Sequence, residues 1–332
     1  MSPTPAPALP THLRVHQFAG LQPGPRFIVT GAVHGNEIAG TNALSEIVRQ
    51  LDVGELTLLR GTLTVVPIVN PLAHRLQRRE GERNLNRNLR PPAVPQDFED
   101  LIARQLCPLF AQHEGLLDLH SFQNPGPAFA MLGPRNNTGT LEPFRWEAVE
   151  SALVARLGVT RIVEGWLSTY ALGLQRRQAR PHDGSRTANL ISDPHYGVGT
   201  TEYMRSVGGW AITLECGQHT DPNGPTVSRL AVLRALVHLG MLDASAVALH
   251  APAQPPELLQ LYDVIDRHSM DDRFEREWAS FDPIDAGQRI GTRAQGEPVL
   301  APSAGRIVFP NTQAKPGTEW FYLARASDRL LA

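Results

Sequence analysis

Thr30-Gly31-Ala32-Val33-His34-Gly35-Asn36-Glu37 is the stretch that decides the fold of this chain. The apolar run 27–29 leads into it, and apolar residues at helical spacing follow it. His34 and Glu37 are therefore predicted to lie where a buried strand ends and a helix begins. In an open α/β sheet, ligand sites are built at that edge. A histidine and a glutamate three residues apart on such a turn can both face one divalent metal ion.

Strand-like and helix-like segments alternate beyond this turn. The predicted strands are 26–33, 61–70, 115–120, 128–132 and 210–215, and the predicted helices are 44–51, 97–112, 142–157 and 226–242. This alternation predicts an α/β domain with a mixed central sheet flanked by helices. The stretch 166–207 has weak periodicity, and we interpret it as irregular, functional loop structure.

Changes in composition predict three parts of the chain. Residues 1–25 are Pro-rich and are predicted to form an N-terminal tail, followed by the α/β domain over 26–250. A Pro-rich stretch, 251–256, then leads to short β-like runs separated by Gly, Pro and Asp. We therefore expect a small C-terminal all-β domain over 257–332.

Composition argues against several classes of protein. The chain has 332 residues, 42% of them hydrophobic, and a net charge of −2, so no basic field favours nucleic acid or anionic membrane. No apolar run approaches the roughly 18 residues that span a bilayer, and the start does not resemble a secretory signal. Cys107 and Cys216 are far apart, which suits a reducing compartment. We expect a cytoplasmic protein, and the sequence leaves its oligomeric state open, a homo-oligomer included.

Polar residues stand at the ends of four predicted strands: His34, Asn70, His120 and Glu215. His34, Glu37 and His120 make a set of two histidines and one carboxylate, which is the ligand count of catalytic zinc. Any one of them alone is more often a capping or core group. Such ligands also accept Co²⁺, Mn²⁺ or Fe²⁺, so the pattern indicates a divalent metal, with zinc as the expected ion.

Two further kinds of group accompany this set. Glu215 follows an apolar run, and burial there would raise its pKa and suit it to proton transfer; the alternative is a structural carboxylate paired with an arginine. Arg79, Asn86 and Arg87 lie in an Arg-rich stretch, where guanidinium and amide groups can polarise a carbonyl or hold a carboxylate. Taken alone, that stretch is more typical of a solvated, charged loop.

Four motifs in order carry a family resemblance: GAVHGNE, NPLAHRLQRREGERNLNRNL, LLDLHS and ITLECG. They resemble the succinylglutamate desuccinylase/aspartoacylase family, whose members are relatives of the M14-type zinc carboxypeptidases. The resemblance implies a zinc-carboxypeptidase-like α/β domain followed by the family's second, β-rich domain. It also implies one zinc ion per chain on His34, Glu37 and His120, with Glu215 as general acid/base.

The resemblance implies substrate contacts as well. Arg79 corresponds to the arginine that polarises the scissile carbonyl, and Asn86 and Arg87 correspond to the pair that binds the acyl or carboxylate end of the substrate. Glu80 replaces the usual aromatic residue after this arginine, which keeps Arg78 as an alternative to Arg79. The residues that recognise an aspartate side chain are not assigned; the candidates are Arg176, Arg177, Arg180, Tyr196 and Tyr203.

Histidines near these motifs are further candidates. His219 follows Glu215 by four residues and is predicted to contact the substrate, whereas His182 and His195 are more typical of surface loops. The β-rich C-terminal part would shape the mouth of the site.

The sequence thus predicts a zinc-dependent hydrolase that cleaves the amide bond of an N-acyl amino acid or similar small N-acyl compound. In this prediction a metal-activated water attacks, and Glu215 acts as general base and then as general acid. Two alternatives remain open. One is an M14-type carboxypeptidase acting on peptides or cell-wall fragments, and the other is a non-catalytic metal- or ligand-binding protein on the same scaffold.

Overall fold

The computed structural model describes residues 9–178, 193–247 and 255–331. A mixed β-sheet lies at the centre of its fold. The strands are β1 (His16–Ala19), β2 (Gln22–Gly31), β3 (Arg60–Val66), β4 (Gly115–Phe122), β5 (Phe129–Met131), β6 (Arg161–Glu164), β7 (Trp210–Gln218), β8 (Glu257–Asp266), β9 (Arg273–Phe274), β10 (Pro283–Ile284), β11 (Arg289–Thr292), β12 (Pro298–Leu300), β13 (Gly305–Val308) and β14 (Glu319–Ala326). The helices are α1 (Ile38–Asp52), α2 (Pro71–Arg75), α3 (Phe98–Phe110), α4 (Glu147–Val154), α5 (Trp166–Gln178), α6 (Thr200–Ser206) and α7 (Gly224–His238). Among the described residues, no helix is long and apolar enough to cross a membrane.

Within the described residues, eleven strands form the main sheet in the order β1-β3-β2-β4-β7-β5-β6-β8-β14-β13-β10, and β12-β11-β9 form a second, small sheet. The central pairs β2–β3, β2–β4 and β4–β7 are parallel, while β1–β3 and β5–β7 are antiparallel. The predicted mixed α/β architecture is therefore confirmed.

The core lies on both faces of this sheet. Phe27 and Val29 of β2 belong to one apolar cluster, with residues of α1, α4 and α7, and Ile28 between them belongs to another, with residues of α3. All three side chains are fully buried. This burial on both faces explains why the strand is a continuous apolar run.

The sheet continues into the C-terminal part of the chain. β8 pairs in parallel with β6 and in antiparallel with β14, so the strands after residue 257 extend the central sheet. A third apolar cluster joins Phe129 and Val163 to Leu259 and Val308 across this junction. The C-terminal part is β-rich as predicted, and the boundary between domains stays a prediction.

Two segments differ from the sequence-based prediction. Residues 16–25, predicted to belong to a tail, instead form β1 and the start of β2, because β1 pairs with β3 and Phe18 packs on the first cluster. The stretch 166–207, predicted to be irregular, contains α5 and α6. Helix α5 buries Leu167, Tyr170 and Leu174, a helical spacing that neighbouring polar residues conceal.

Candidate metal centre and active site

Two backbone hydrogen bonds connect the turn after β2 to residues that follow β3. The N–H groups of Val69 and Asn70 donate to the carbonyl oxygens of Gly31 and Ala32, at 2.9 and 3.0 Å. Ala32 has a φ of +47°, a conformation that costs a non-glycine residue free energy and that surrounding contacts must hold. The backbone therefore reverses direction at a fixed point before His34.

Gly35 is required by a close approach of the two chain segments. A Cβ atom at this position would lie 1.9 Å from the carbonyl carbon of Ala73 in α2. The absence of a side chain thus allows the turn to pack on α2 between His34 and Glu37. The sequence motif sets the spacing of His34 and Glu37 along the chain, and packing against α2 sets the position of the turn that carries them.

The carboxylate of Glu37 lies between two histidines. Its Oε1 is 2.8 Å from Nδ1 of His34, and its Oε2 is 2.8 Å from Nδ1 of His120 at the end of β4. The exposed fraction of each of the three residues is 3% or less. The structure therefore brings together the three predicted metal ligands, which lie on two neighbouring strand ends.

Oxygen atoms behind the histidines orient both rings. Asp118 Oδ2 is 2.8 Å from Nε2 of His120, and Asn84 Oδ1 is 3.1 Å from Nε2 of His34. An acceptor at Nε2 keeps a proton on that nitrogen and leaves Nδ1 as the ligand atom, as is usual for histidines that bind metals. Neither Asp118 nor Asn84 was predicted from the sequence. The one signal was a carboxylate inside the buried strand LLDLHS.

The donor set fits a divalent ion. Ligand atoms of His34, Glu37 and His120 lie within 4.8 Å of one another. Burial, with Arg79 as a further cause, lowers the pKa of His34 to about 4, so its neutral form prevails. The two histidines overcome burial and hold the pKa of Glu37 well below its ordinary value. Against the effect of burial, Asp118 and Glu37 raise the pKa of His120 well above its ordinary value, so a metal ion bound there would displace a proton from His120.

Glu215 lies beside this group on β7, where it is the register partner of His120. It is 8% exposed, and its Oε2 is buried with no hydrogen-bond partner among the described residues. Burial raises the pKa of Glu215 to about 8, against the opposing effect of His120. A carboxyl group with a pKa near neutrality can both accept and release a proton.

Arg79, and not its alternative Arg78, reaches the centre. One guanidinium nitrogen of Arg79 donates to Oε1 of Glu37 at 3.3 Å, while its side chain remains 47% exposed. Arg78 instead donates to the backbone of Gly81 at 3.4 Å. Of the two arginines, Arg79 is therefore the one that can approach a group bound at the metal centre.

Asn86 and Arg87 lie farther along the same loop. Oδ1 of Asn86 accepts from the backbone N–H of Thr200 at 2.9 Å, which directs its amide nitrogen elsewhere. The guanidinium of Arg87 lies over the rings of Trp166 and Tyr170, at 5.1 and 5.0 Å from their centroids. Stacking on two rings holds the guanidinium in one plane and leaves its edge for a planar anion.

His219 also borders the site. Its Nδ1 is 2.8 Å from Oγ of Ser121, next to the metal-ligand candidate His120, and Asn36 Nδ2 lies 3.4 Å from its Nε2. His195, in contrast, is exposed and lies 3.4 Å from Asp193. His182 and Arg180 lie outside the described residues.

The remaining candidates for recognition of an aspartate side chain lie in different surroundings. Arg176 pairs with Asp263 at 2.6 Å, and Arg177 pairs with Asp266 at the same distance. Tyr203 packs against Phe110, away from the site. Tyr196 borders the cavity described next.

One cavity of about 810 Å³ unites these groups. It is lined by the metal-ligand candidates, Glu215, His219 and the loop that carries Arg79, Asn86 and Arg87. The C-terminal part supplies the opposite side, with Phe309, Lys315, Glu319 and Tyr322. Residues from both parts of the chain therefore line the same cavity.

Comparison with known proteins agrees with this geometry. Residues 23–124 match the succinylglutamate desuccinylase/aspartoacylase catalytic domain. The family that the motifs predict is the family that matches over these residues. This is a family of deacylases, which supports a hydrolase. No curated protein matches the chain.

Solved structures share the fold of this chain over most of its length. A succinylglutamate desuccinylase/aspartoacylase from Rhodobacter sphaeroides is 16% identical, with a TM-score of 0.71 over 96% of this chain and 90% of that one. The ectoine utilization protein EutE (DoeB) from Ruegeria pomeroyi is 18% identical, with a TM-score of 0.67 over 94% and 88%. An aspartoacylase family protein from Mesorhizobium loti is 19% identical, with a TM-score of 0.63 over 96% and 90%. These likenesses concern the fold.

Proposed function

We propose that the protein is a zinc-dependent deacylase that cleaves the amide bond of an N-acyl amino acid or similar small N-acyl compound. The observation that carries the proposal is one carboxyl oxygen of Glu215, which is buried beside a compact His–Glu–His group and has no hydrogen-bond partner in the described part of the chain. A buried, unpaired carboxylate costs free energy and is retained where it has a chemical task.

His34, Glu37 and His120 would hold one zinc ion through Nδ1, a carboxylate oxygen and Nδ1. When bound there, zinc would polarise the substrate carbonyl and lower the pKa of a water molecule. Asp118 and Asn84 keep the two imidazole rings turned towards this point. The chain therefore supplies a pre-formed, buried donor set with oriented ligands.

Glu215 would move the proton. Its pKa of about 8 allows it to take a proton from the attacking water and to deliver it to the leaving nitrogen. Its place on β7, next to the β4 strand end that carries His120, would bring it close to the scissile bond of a substrate held at the metal position. The two steps need no other titratable side chain.

The arginine-bearing loop would bind and orient the substrate. Arg79 would stabilise the negative charge that develops on the carbonyl oxygen, because its guanidinium already contacts Glu37 at the centre. Asn86 and Arg87 would hold the carboxylate of the substrate by charge-assisted hydrogen bonds. His219, which lines the same cavity, would also contact the substrate.

Replacing Glu215 with Gln tests the assignment of the proton-transfer group. We expect hydrolysis of N-acyl amino acids to fall by about 10²- to 10⁴-fold, while zinc content stays at one per chain. Glu114→Gln, a change at a partly exposed carboxylate before β4, serves as the control. Near-normal turnover by the zinc-loaded Glu215→Gln protein would refute the role of Glu215.

A further inference from the structure

Four aromatic side chains form a continuous arc along the cavity. Trp166 contacts Tyr322 with a centroid distance of 5.3 Å, Tyr322 contacts Phe309 at 6.4 Å, and Phe309 contacts Phe122 at 5.9 Å. One end of the arc meets Arg87, which stacks on Trp166. The other end, Phe122, lies two residues beyond the ligand His120 on β4. The aromatic arc thus spans the distance from the carboxylate-binding arginine to the metal-ligand strand.

The arc presents apolar surface to the cavity. Trp166, Phe309 and the neighbouring Met131 are only partly buried by the third apolar cluster, and all three line the cavity. Phe309 has a φ of +50°, which is unusual for a bulky residue and is found where other contacts impose it. The chain therefore bears backbone strain at a residue that covers this wall.

The arc carries no charge of its own. Burial raises the pKa of Tyr322 well above its ordinary value, so the hydroxyl stays neutral. Its oxygen has no hydrogen-bond partner within the described ranges.

Charged groups elsewhere in the cavity are paired with one another. Arg205 contacts the carboxylates of Glu150 and Glu142 at 2.8 and 2.9 Å, and Arg177 contacts Glu319 at 3.1 Å as well as Asp266. These arginines are therefore already neutralised by the protein. They offer little to a second carboxylate on the substrate.

Two cations of the described lining have no direct contact with a carboxylate. Arg87 forms no ion pair within 4.0 Å in the described part of the chain, although, against the effect of burial, the charge of Glu319 acts on it and raises its pKa, and it lines the cavity. Lys315 is exposed and belongs to the side formed by the C-terminal part. Among the described residues of the interior, Arg87 is thus a cation without a direct carboxylate contact, and it lies next to one apolar wall.

From this arrangement, and resting on the proposed deacylase function, we propose that the substrate is the N-acyl derivative of an apolar, monocarboxylic amino acid. Arg87 would hold the α-carboxylate, and the amino-acid side chain would lie against Trp166, Phe309 and Met131. A second carboxylate in that position would be desolvated against aromatic rings without a free cation.

A substrate series on the zinc-loaded wild-type protein tests this proposal. We expect kcat/KM for N-acetyl-L-phenylalanine to exceed that for N-acetylglycine by about 10- to 200-fold, as is usual for filling an apolar pocket. N-acetyl-L-aspartate and N-succinyl-L-glutamate should be poorer than N-acetyl-L-phenylalanine by at least about tenfold. A preference for either dicarboxylic compound would overturn the proposal.

Substitutions then test whether the aromatic arc causes the preference for an apolar amino-acid side chain. Phe309→Ala should reduce the ratio of kcat/KM between the phenylalanine and glycine derivatives by at least about fivefold, and Phe309→Leu should restore part of it. Phe274→Ala is the matched control, because Phe274 stacks on Trp320 at 4.5 Å and does not line the cavity. An unchanged ratio in Phe309→Ala would remove the arc from the specificity site.

A binding measurement distinguishes the proposed substrate class from the proposed deacylase function. Calorimetry with the Glu215→Gln protein should show tighter binding of N-acetyl-L-phenylalanine than of N-acetyl-L-aspartate. If no N-acyl amino acid is hydrolysed by the zinc-loaded wild type, the proposed function fails. If amides are hydrolysed but the aspartate derivative binds better, only the substrate class fails.

Discussion

Asp118 shows how much the candidate metal site depends on one side chain that does not touch the metal position. It has no exposed surface, it accepts hydrogen bonds from Thr30 at 2.6 Å and from Thr200, and it holds His120 through Nε2. Three neighbours therefore fix the carboxylate, and the carboxylate fixes the ring.

We expect Asp118→Asn to weaken zinc binding by about 10- to 100-fold, because the imidazole loses the acceptor that sets its tautomer and orientation. Competition with a chromophoric chelator measures the dissociation constant. Asp52→Asn, at an exposed position of α1, should leave it unchanged. Equal affinities of wild type and Asp118→Asn would contradict the orienting role.

For single residues, the positions of the functional groups at strand ends could be predicted from the sequence, but the contacts that support these groups could not. His34, His120 and Glu215 each interrupt or end an apolar run, so their position at a sheet edge follows from the pattern. The contact of Asn84 with His34 joins residues 50 positions apart and depends on how a loop folds back. Nothing in local spacing specifies such a contact.

Among the elements, helix α3 supports the loop that carries the proposed substrate-binding groups. Glu99 in its first turn is fully buried, and its two oxygens accept from the backbone N–H groups of Gly81, Glu82 and Arg83 at 3.1 to 3.3 Å. It also accepts from Asn70 Nδ2 at 2.9 Å. The carboxylate of Glu99 thus connects the loop at residues 81–83 both to α3 and to Asn70, which follows β3.

We expect Glu99→Ala to lower the free energy of unfolding by at least about 2 kcal/mol, because several buried donors lose their acceptor. Urea denaturation measures this change. Glu99→Gln keeps one acceptor oxygen and should lose less. A cost below about 0.5 kcal/mol for Glu99→Ala would show that the loop is held by other contacts.

Elements with a clear apolar period were predicted with the correct type, and those defined by tertiary contacts were not. Helices α1 and α3 have apolar stripes that the spacing reveals, and α7 is rich in apolar residues over the length of a helix. β1 has only four residues, and it forms because the edge of β3 offers it hydrogen bonds. Helix α6 is likewise short, and the capping bond from the N–H of Gly199 to Glu202 at 2.9 Å stabilises its start.

The molecule as a whole buries a carboxyl group whose proton affects stability. Burial raises the pKa of Glu142 to about 7, although the contact with Arg205 opposes the rise. Between pH 4.5 and about 7, the folded chain holds a proton that the unfolded chain has released. The free energy of unfolding therefore falls as the pH rises through this window.

We expect Glu142→Gln to remove this dependence. Relative to wild type, the variant should gain up to about 3 kcal/mol of stability between pH 5 and pH 7.5, as judged by urea denaturation at both values. Glu277→Gln, at an exposed site, should show no such gain. A constant difference between variant and wild type would mean that Glu142 is ionised across the range.

The junction of β6 and β8 makes the two parts of the chain depend on each other. Removal of residues 257–332 would uncover the β6 edge together with Phe129 and Val163, which are now 0% and 1% exposed. We expect the shortened protein to aggregate or to lose its cooperative unfolding transition, measured by light scattering and calorimetry. A monomer with the Tm of the full chain would instead support two separately folding domains.

Lys315, on the cavity side formed by the C-terminal part, is the one lysine in the sequence. Amine-directed reagents that modify lysine at alkaline pH therefore have a single side-chain target in the entire chain. A fluorophore attached there would place an optical reporter beside the cavity without any engineered cysteine. The protein thus contains a natural labelling position for measuring ligand binding and dissociation by fluorescence.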